Sequence, residues 1–224
     1  MKPILFNAQM VRAILEGRKT QTRRVCRLQP HDAAGMVWWP DGAGTDTGTS
    51  GGAPGIYLKK CPYGELGDRL WVRETFAYSV IDPEGLSPED DPENYDIIYR
   101  ATYQQGGGWR DGEGNPIKAP WKPSIHMPRW ASRITLEIAD VRVERLQDIS
   151  EVDAVAEGAN FHDGRGIGHS GYRHDSNDGF VWATAKASYM HLWEQINGAG
   201  SWNENPWVWV VEFKRVTERV SNDA

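Results

Sequence analysis

The sequence has few cysteines and no long run of apolar residues. Its 224 residues include two cysteines, Cys26 and Cys61, neither of which belongs to a Cys-x-x-Cys pair. A disulfide framework and a zinc site are therefore not expected, and both thiols are predicted to be reduced. No apolar stretch approaches the roughly 20 residues of a membrane-spanning helix, and the first residues lack the pattern of a secretory signal. These absences predict a cytoplasmic protein with no membrane partner.

Basic residues are fewer than acidic ones, but they are concentrated near the N-terminus. The net charge is −6, yet residues 1–30 contain seven Lys or Arg and one acid. Residues 81–96 show the opposite bias, with seven acids and no base. A protein that binds duplex DNA without sequence preference is usually basic overall. The distribution therefore favours a small or single-stranded anionic ligand near the N-terminal region.

Hydrophobic periodicity predicts an α+β fold in a single domain. Amphipathic helices are expected over residues 7–17, 148–158 and 185–198. Asn7 and Ser150 are expected to cap the first two helices, and Gly17 and Gly158 to end them. Strands are expected over residues 2–6, 20–25, 64–76, 96–103, 132–146 and 207–216. The last strand is apolar on both faces, which is typical of a central strand. Strands broken by so few helices favour a curled sheet or a small barrel.

Gly-, Pro- and Asp-rich segments interrupt this pattern near residues 31–60, 80–128 and 159–180, and we expect them to be insertions. The third segment contains His162, His169 and His174 among several aspartates, which raises the possibility of a metal site. Their spacing matches no helix- or ribbon-based ligand set, and solvated loops often carry such residues. No metal or cofactor is therefore predicted.

Residues 16–25, EGRKTQTRRV, carry the most specific chemical pattern. A lysine near a threonine is a plausible nucleophile pair, because a desolvated neutral Lys19 can accept the hydroxyl proton of Thr22. In a regular strand these two side chains would point to opposite faces, so they converge only if Lys19 lies in a turn after Gly17. The alternative is that Lys19 is solvated and that Thr22 is present for its β-propensity.

Eleven tryptophans offer a second pattern. Trp121 and Trp130 flank a segment that contains Arg129, and aromatic rings beside cations can stack bases and pair with phosphates. A packing role is an equal alternative for these two residues. Trp207 and Trp209 alternate with valines on the last strand and are predicted to be core residues.

The residues of this motif also resemble a known family. Gly-Arg-Lys-Thr-Gln-Thr-Arg-Arg at residues 17–24, Gly67-Asp68 before a strand, residues 146–158 and the closing strand with VVEFK at 210–214 are similar to the ASCH domain (activating signal cointegrator homology) of the PUA-like superfamily. The wider chain resembles its prophage-encoded members. The resemblance implies a PUA-like mixed β-barrel with flanking helices and a cleft associated with RNA or modified nucleotides.

Small bacterial members of this family are amidohydrolases that deacetylate N4-acetylcytidine with a lysine, a threonine and a glutamate. The resemblance places these roles on Lys19, Thr22 and Glu157. The side chains expected to bind the substrate are Arg23, Arg24, Arg73, Arg129 and Trp130.

Two functions therefore remain open at this point. An amidohydrolase acting on an acylated nucleoside requires Lys19, Thr22 and Glu157 to converge in one pocket. A non-catalytic module that binds RNA or single-stranded nucleic acid requires a continuous basic and aromatic surface and no buried contact between the lysine and the threonine. This surface would run through Arg23, Arg24, Arg129 and Trp130.

Overall fold

The computed structural model describes residues 1–33, 36–38, 44–46, 61–80, 95–103, 109–110, 116–117, 120–163, 170–173 and 181–216. These residues form an α+β fold, which confirms the predicted class. The elements in chain order are β1 (Lys2–Leu5), α1 (Ala8–Leu15), β2 (Gln21–Val25), β3 (His31–Ala33), β4 (Met36–Trp38), β5 (Gly44–Asp46), β6 (Arg69–Arg73), β7 (Phe76–Val80), β8 (Tyr95–Tyr99), β9 (Trp109–Arg110), β10 (Pro116–Ile117), β11 (Thr135–Arg145), α2 (Glu151–Ala156), β12 (Asn160–His162), β13 (Gly171–Arg173), α3 (Ala185–Asn197) and β14 (Trp207–Arg215).

A five-stranded mixed sheet forms the centre of the fold, in the order β1-β6-β11-β14-β2. β1 runs parallel to β6, and the other neighbours are antiparallel. β14 lies between β11 and β2, and Val208, Val210 and Val211 are completely buried on it. The prediction of an apolar central strand is confirmed, and Trp207 and Trp209 are core residues as expected.

The two faces of β14 pack against different clusters. Val208 and Val210 pack against a cluster that contains Tyr189 and Leu192 of α3, whereas Val211 packs with residues of β1, β6, β11 and α1. Alternating side chains of a strand point to opposite faces, so apolar residues at successive positions need a partner layer on each side. The helices supply part of both layers.

The sheet is curled. Arg24 on β2 donates a hydrogen bond from Nη2 to the carbonyl oxygen of Leu5 at the end of β1, at 2.6 Å. In a flat sheet four strand spacings would separate these two edge strands by about 19 Å, which is beyond the reach of an arginine side chain. The two edges therefore approach each other at the end of the sheet where Leu5 and Arg24 lie.

Two helix starts follow the predicted capping. Asn7 Oδ1 accepts a hydrogen bond from Met10 N at the start of α1, and Ser150 Oγ accepts one from Asp153 N at the start of α2. Gly17 follows α1 with φ of +75°, a left-handed conformation that glycine adopts without strain. The predicted caps are confirmed, and the helices themselves are shorter than the predicted segments.

One strand is shorter than predicted. The strand predicted over residues 96–103 ends at Tyr99 and continues as a turn. Cys26 and Cys61 are free thiols, as predicted, and both are buried in the core, where burial raises the pKa of Cys26 to about 12. The acidic residues 81–94 and the glycine-rich residues 47–60 lie outside the described residues. No helix in the described part of the chain is long and apolar enough to cross a membrane.

The histidine-rich insertion is described only in part. His162 accepts a hydrogen bond from Arg173 Nε at 2.7 Å, whereas His169 and His174 lie outside the described residues. Among the residues with a described position, no group of three His, Cys, Asp or Glu side chains is arranged to hold a metal ion.

Candidate functional site

The turn between α1 and β2 buries Lys19. The backbone N–H groups of Arg18 and Lys19 both donate to Ala13 O, at 2.9 and 3.0 Å, and Thr20 N donates to Ala156 O at 2.8 Å. The turn is thereby tied to the end of α1 and to the end of α2. Lys19 lies before the first residue of β2, as the proposed convergence with Thr22 requires, and its side chain is completely buried.

The Lys19 ammonium uses all three of its N–H donors. Nζ donates to Glu157 Oε2 at 2.6 Å, to Glu157 O at 3.0 Å and to Gln21 O at 2.8 Å. Because Gln21 O belongs to the peptide bond that joins Gln21 to Thr22, the ammonium lies beside the Thr22 backbone. None of its three acceptors is the Thr22 hydroxyl.

Glu157 ends α2 as its C-cap and is 2% exposed. Its two carboxylate oxygens have different partners: Oε2 accepts from Lys19, and Oε1 accepts from Arg23 Nη1 at 3.1 Å. The next residue, Gly158, has φ of +108° and lies against Lys19, so that an added Cβ atom would be 3.4 Å from Lys19 Cβ. Glycine at this position lets the end of α2 approach the lysine closely.

The environment of Lys19 lowers its pKa from the ordinary value of 10.5. Burial is the main cause, since a charged ammonium loses its hydration there. The Glu157 carboxylate acts in the opposite direction, and the positive charges of Arg24 and Arg23 add to the lowering. Lys19 is therefore a lysine that gives up its proton more readily than one in solution.

Thr22 and Glu157 share the wall of one cavity. Thr22 lies on β2 opposite Val211 and is 2% exposed. The cavity has a volume of about 60 Å³, and α3 contributes Tyr189, Leu192 and Trp193 to its wall. Lys19 is not part of this wall, but its Nζ contacts Glu157 Oε2, and Glu157 is part of the wall.

The mouth of this cavity is open but narrow. Val25 and Ile196, which are 47% and 48% exposed, lie at its rim together with half-buried Arg24. Ligand sites usually enclose roughly 300–1,000 Å³, so a nucleoside base would enter only as the rim side chains move apart. A second cavity of about 10 Å³ on the other side of Glu157, bounded by Arg18 and Gly158, has room for about one water molecule.

Arg23 lines the same cavity as Thr22 and Glu157 and is surrounded by carboxylates. Its side chain is 0% exposed, and its guanidinium lies 2.5 Å from Glu144, 3.1 Å from Glu157 and 3.5 Å from Asp153. An arginine surrounded in this way fixes the position of the Glu157 carboxylate, because each guanidinium nitrogen has a defined direction.

Arg142 on β11 extends this network toward the surface. It contacts Glu144 and Asp153, each at 3.2 Å, and also Glu212. Burial alone would raise the pKa of Asp153, but hydrogen bonds from Gln21 and Ser150 and the two arginines lower the pKa overall. This network is not apparent from the sequence. The available signals were the spacing of Asp153 and Glu157 by four residues and that of Arg142 and Glu144 by two.

Tyr189 is a further site residue that the sequence analysis did not identify. It is completely buried on α3, and its ring centroid lies 5.9 Å from the Arg23 guanidinium carbon. Burial, followed by the negative charge of Glu157, raises the pKa of Tyr189 well above its ordinary value. Its phenol therefore stays protonated in the cavity wall. In the sequence Tyr189 is only one of several residues on the apolar face of an amphipathic helix.

The remaining predicted binding residues divide between two places. Arg24 lines the cavity, and its guanidinium carbon lies 5.3 Å from the Phe6 ring centroid. Arg73, Arg129 and Trp130 do not line the cavity and lie near one another around β6 and β7. Arg73 Nε is buried there and has no hydrogen-bond acceptor among the described residues.

Trp121 contacts Tyr103 edge to face at 5.4 Å, and the Arg100 guanidinium carbon lies 5.2 Å from its ring centroid. Trp121 is half-buried, whereas Trp130 is 41% exposed. The two tryptophans that flank the predicted stacking segment thus differ, and Trp130 is the more accessible of the two.

Comparison of the chain with protein-family models, curated proteins and solved structures finds no match.

Proposed function

We propose that this chain is an amidohydrolase of the ASCH type that removes an acyl group from the exocyclic amine of an acylated cytidine, such as N4-acetylcytidine. The observation that carries the proposal is the completely buried pair of Lys19 and Glu157, with Glu157 and Thr22 in the wall of the same cavity. Replacing a buried ion pair by apolar residues is often neutral or stabilising, so stability alone gives little reason for it. Ionisable groups with a shifted pKa beside a cavity are typical of catalytic sites.

The proposed PUA-like barrel agrees with the curvature of the sheet. The hydrogen bond from Arg24 to Leu5 joins the two edge strands, and the helices α1 and α2 meet at the turn that contains Lys19. In this arrangement the motif lies where one end of the curled sheet meets two helices.

The first half-reaction transfers the acyl group to Thr22. The Lys19 ammonium passes a proton to Glu157 Oε2 along their 2.6 Å hydrogen bond, which leaves a neutral amine and a neutral carboxyl group. The amine accepts the hydroxyl proton of Thr22 as Thr22 Oγ1 bonds to the acyl carbon. The C–N bond then breaks, and the Glu157 carboxyl group gives its proton to the leaving amine. Lys19 and Glu157 are again an ion pair, and the acyl group is an ester of Thr22.

Water completes the second half-reaction. It adds to the ester carbon as the Glu157 carboxylate takes one of its protons. The bond to Thr22 Oγ1 breaks as the Lys19 ammonium gives that oxygen a proton, and a carboxylic acid leaves. A proton then passes from Glu157 to Lys19 and restores the ion pair. Arg24 lines the same cavity and can donate hydrogen bonds to the oxyanion of either tetrahedral intermediate.

The proposal requires one movement. Lys19 donates to Gln21 and Glu157 but not to Thr22, so the Thr22 hydroxyl must turn toward Nζ when substrate enters. Catalytic hydrogen bonds often form only in the substrate complex, and the Lys19 ammonium already lies beside the Thr22 backbone.

The purified chain, incubated with N4-acetylcytidine, is expected to release cytidine and acetate. Lys19→Ala is the first control, because it removes the proposed base. Since loss of a buried lysine can unfold the chain, Glu157→Gln, which keeps the shape of the side chain, is tested with it and checked by circular dichroism. Release by the wild type at the rate of a folded Glu157→Gln variant would contradict the proposal for this substrate.

A further inference from the structure

Within the described residues, some arginines are neutralised by carboxylates and other cations are not. Arg23, Arg133 and Arg142 each pair with at least one carboxylate. The cations that make no ion pair with a carboxylate among the described residues include Arg24, Arg73, Lys122 and Arg129. Lys122 and Arg129 are exposed, and the other two are half-buried.

Aromatic rings support these cations. The guanidinium carbons of Arg73 and Arg129 lie 4.7 and 5.7 Å from the ring centroid of Trp71, which is 6% exposed. The Lys122 ammonium lies 4.6 Å from the Tyr78 ring centroid. A cation held over a ring in this way keeps N–H donors for a ligand.

Trp130 supplies a ring that is available for stacking. It is stacked with Tyr78, with centroids 6.1 Å apart and an interplanar angle of 18°. It is nevertheless 41% exposed, so part of the indole faces solvent. Arg129 precedes it in the chain, and the Tyr78 ring that it stacks on is also contacted by Lys122.

Arg24 links these cations and rings to the mouth of the cavity. Arg24 lines the cavity and donates to Leu5 O, and Leu5 is the register partner of Arg73 on the neighbouring parallel strand. Trp71 lies two residues before Arg73 and projects from the same face, about 7 Å away along the strand. We call the set Arg24, Arg73, Arg129, Lys122, Trp71, Tyr78 and Trp130 the cation–aromatic track.

We infer that the cation–aromatic track binds a single-stranded polynucleotide, so that the acylated cytidine is presented to the cavity as part of a strand rather than as a free nucleoside. The inference rests on the proposed function in one respect, namely that the reactive base enters the cavity beside Thr22. Phosphates of the neighbouring nucleotides contact Arg73, Arg129 and Lys122, and a flanking base stacks on Trp130.

A polynucleotide fits this surface better than an acidic peptide does. Carboxylates would satisfy the cations, but an acidic side chain has no flat face to place on Trp130. Bases stack on aromatic side chains whatever their identity, and unpaired strands expose them. A duplex would keep its bases stacked within the helix and leave the indole without a partner.

The test measures binding of a short, unmodified single-stranded RNA by fluorescence anisotropy at several salt concentrations. Arg129→Ala and Lys122→Ala are each expected to weaken binding and to reduce the slope of log K against log salt by about 0.7, the value for one phosphate contact on a single strand. Trp130→Ala is expected to weaken binding roughly 5- to 150-fold without changing this slope. Trp130→Tyr, which restores a ring, is expected to recover most of the affinity.

Two substitutions away from the track provide matched controls. Lys214→Ala removes an exposed cation that is paired with Glu137, and Phe161→Ala removes a ring that is 56% exposed and packs on Tyr172. Both should bind RNA like the wild type. Equal losses in the control and track variants, or an affinity that does not change with salt, would overturn the inference. So would a poly-glutamate peptide that binds as tightly as RNA and loses affinity equally in Trp130→Ala.

This test separates the inference from the proposed function, because binding of unmodified RNA requires no turnover. Strand binding without deacylation would contradict the proposed function alone. Deacylation of free N4-acetylcytidine without strand binding would contradict this inference alone. If both hold, the wild type should deacylate N4-acetylcytidine faster within an oligonucleotide than as a nucleoside, and Trp130→Ala should remove the difference.

Discussion

The Lys19 ammonium and the Glu157 carboxylate lie 2.6 Å apart, and neither side chain is more than 2% exposed. Lys19 lies in the turn before β2 and Glu157 at the end of α2, and the two residues are 138 positions apart in sequence. Each group would be costly to bury alone, and each is further fixed by backbone or arginine contacts. The pair is therefore both a structural requirement at this junction and the centre of the proposed chemistry.

Removing one member of the pair is expected to destabilise the protein strongly. Lys19→Met leaves the Glu157 carboxylate buried with one cation fewer, and Glu157→Leu leaves the ammonium buried without its carboxylate. Each should lower the free energy of unfolding by about 3–5 kcal/mol in urea denaturation. The double variant Lys19→Met/Glu157→Leu should recover a large part of the loss, because no uncompensated charge remains at this contact.

The exposed pair Lys214–Glu137 is the matched control. Lys214→Ala should unfold at nearly the same urea concentration as the wild type, because water screens this pair. Equal midpoints for Lys19→Met and Lys214→Ala would show that the buried pair contributes nothing to stability.

The pH dependence of the reaction should report the lowered pKa of Lys19. The pair is active while it holds one proton, so kcat/KM should fall when this proton is lost at alkaline pH. The alkaline limb should lie below the ordinary lysine value of 10.5, chiefly because of burial. Arg24→Gln removes a positive charge that also lowers this pKa, so the limb should move to higher pH. Arg129→Gln should leave its position unchanged, and a limb that shifts equally in both variants would argue against Lys19 as the titrating group.

Gly158 should tolerate substitution less well than Gly17, although both have positive φ. A Cβ atom on Gly158 would lie 3.2 Å from Ala13 Cβ and 3.4 Å from Lys19 Cβ, whereas nothing lies within 4 Å at Gly17. Gly17→Ala should therefore cost only the backbone strain, about 1–2 kcal/mol. Gly158→Ala should cost more in thermal or urea unfolding, and it should also lower kcat, because it displaces Lys19. Equal losses of stability would show that the space around Gly158 is not limiting.

Acid should weaken the network beneath the site through Asp153. Its folded-state pKa lies below the unfolded value near 3.8, so ionised Asp153 contributes stability at higher pH, and this contribution is lost as pH falls through the folded-state pKa. Asp153→Asn cannot ionise and should lower stability at neutral pH while flattening this part of the acid limb. Unfolding followed from neutral pH down to pH values below 3.8 checks both effects, and parallel curves for the variant and the wild type would contradict the assignment.

Local signals predicted much of the framework. The caps Asn7 and Ser150, the glycines after α1 and α2, and the doubly apolar β14 depend on neighbouring residues and on the periodicity of side chains, which a sequence displays directly. The placement of Lys19 in a turn followed from Gly17 in the same way. The resemblance, rather than local pattern, placed a role on Glu157.

The long-range charge network could not be predicted in this way. Arg23 belongs to a short strand with several polar and basic residues. Nothing near it in sequence indicates that it contacts Glu144 and Glu157, which are 121 and 134 residues away. Strand register and the position of α2 determine this burial. For the same reason the sequence did not indicate that Arg129 lies over Trp71 of β6 and that Trp130 stacks on Tyr78 of β7.

The nucleophile is the central claim, and variants of Thr22 test it most directly. Thr22→Val replaces the hydroxyl with a methyl group of similar shape and should retain the fold, whereas Thr22→Ser retains the hydroxyl. The decisive measurement is the rate of cytidine release from N4-acetylcytidine by the wild type and these two variants, with folding checked by circular dichroism. We expect Thr22→Val to lose at least about 10³-fold in kcat and Thr22→Ser to retain activity. Thr22→Val that releases cytidine at the wild-type rate would contradict the account.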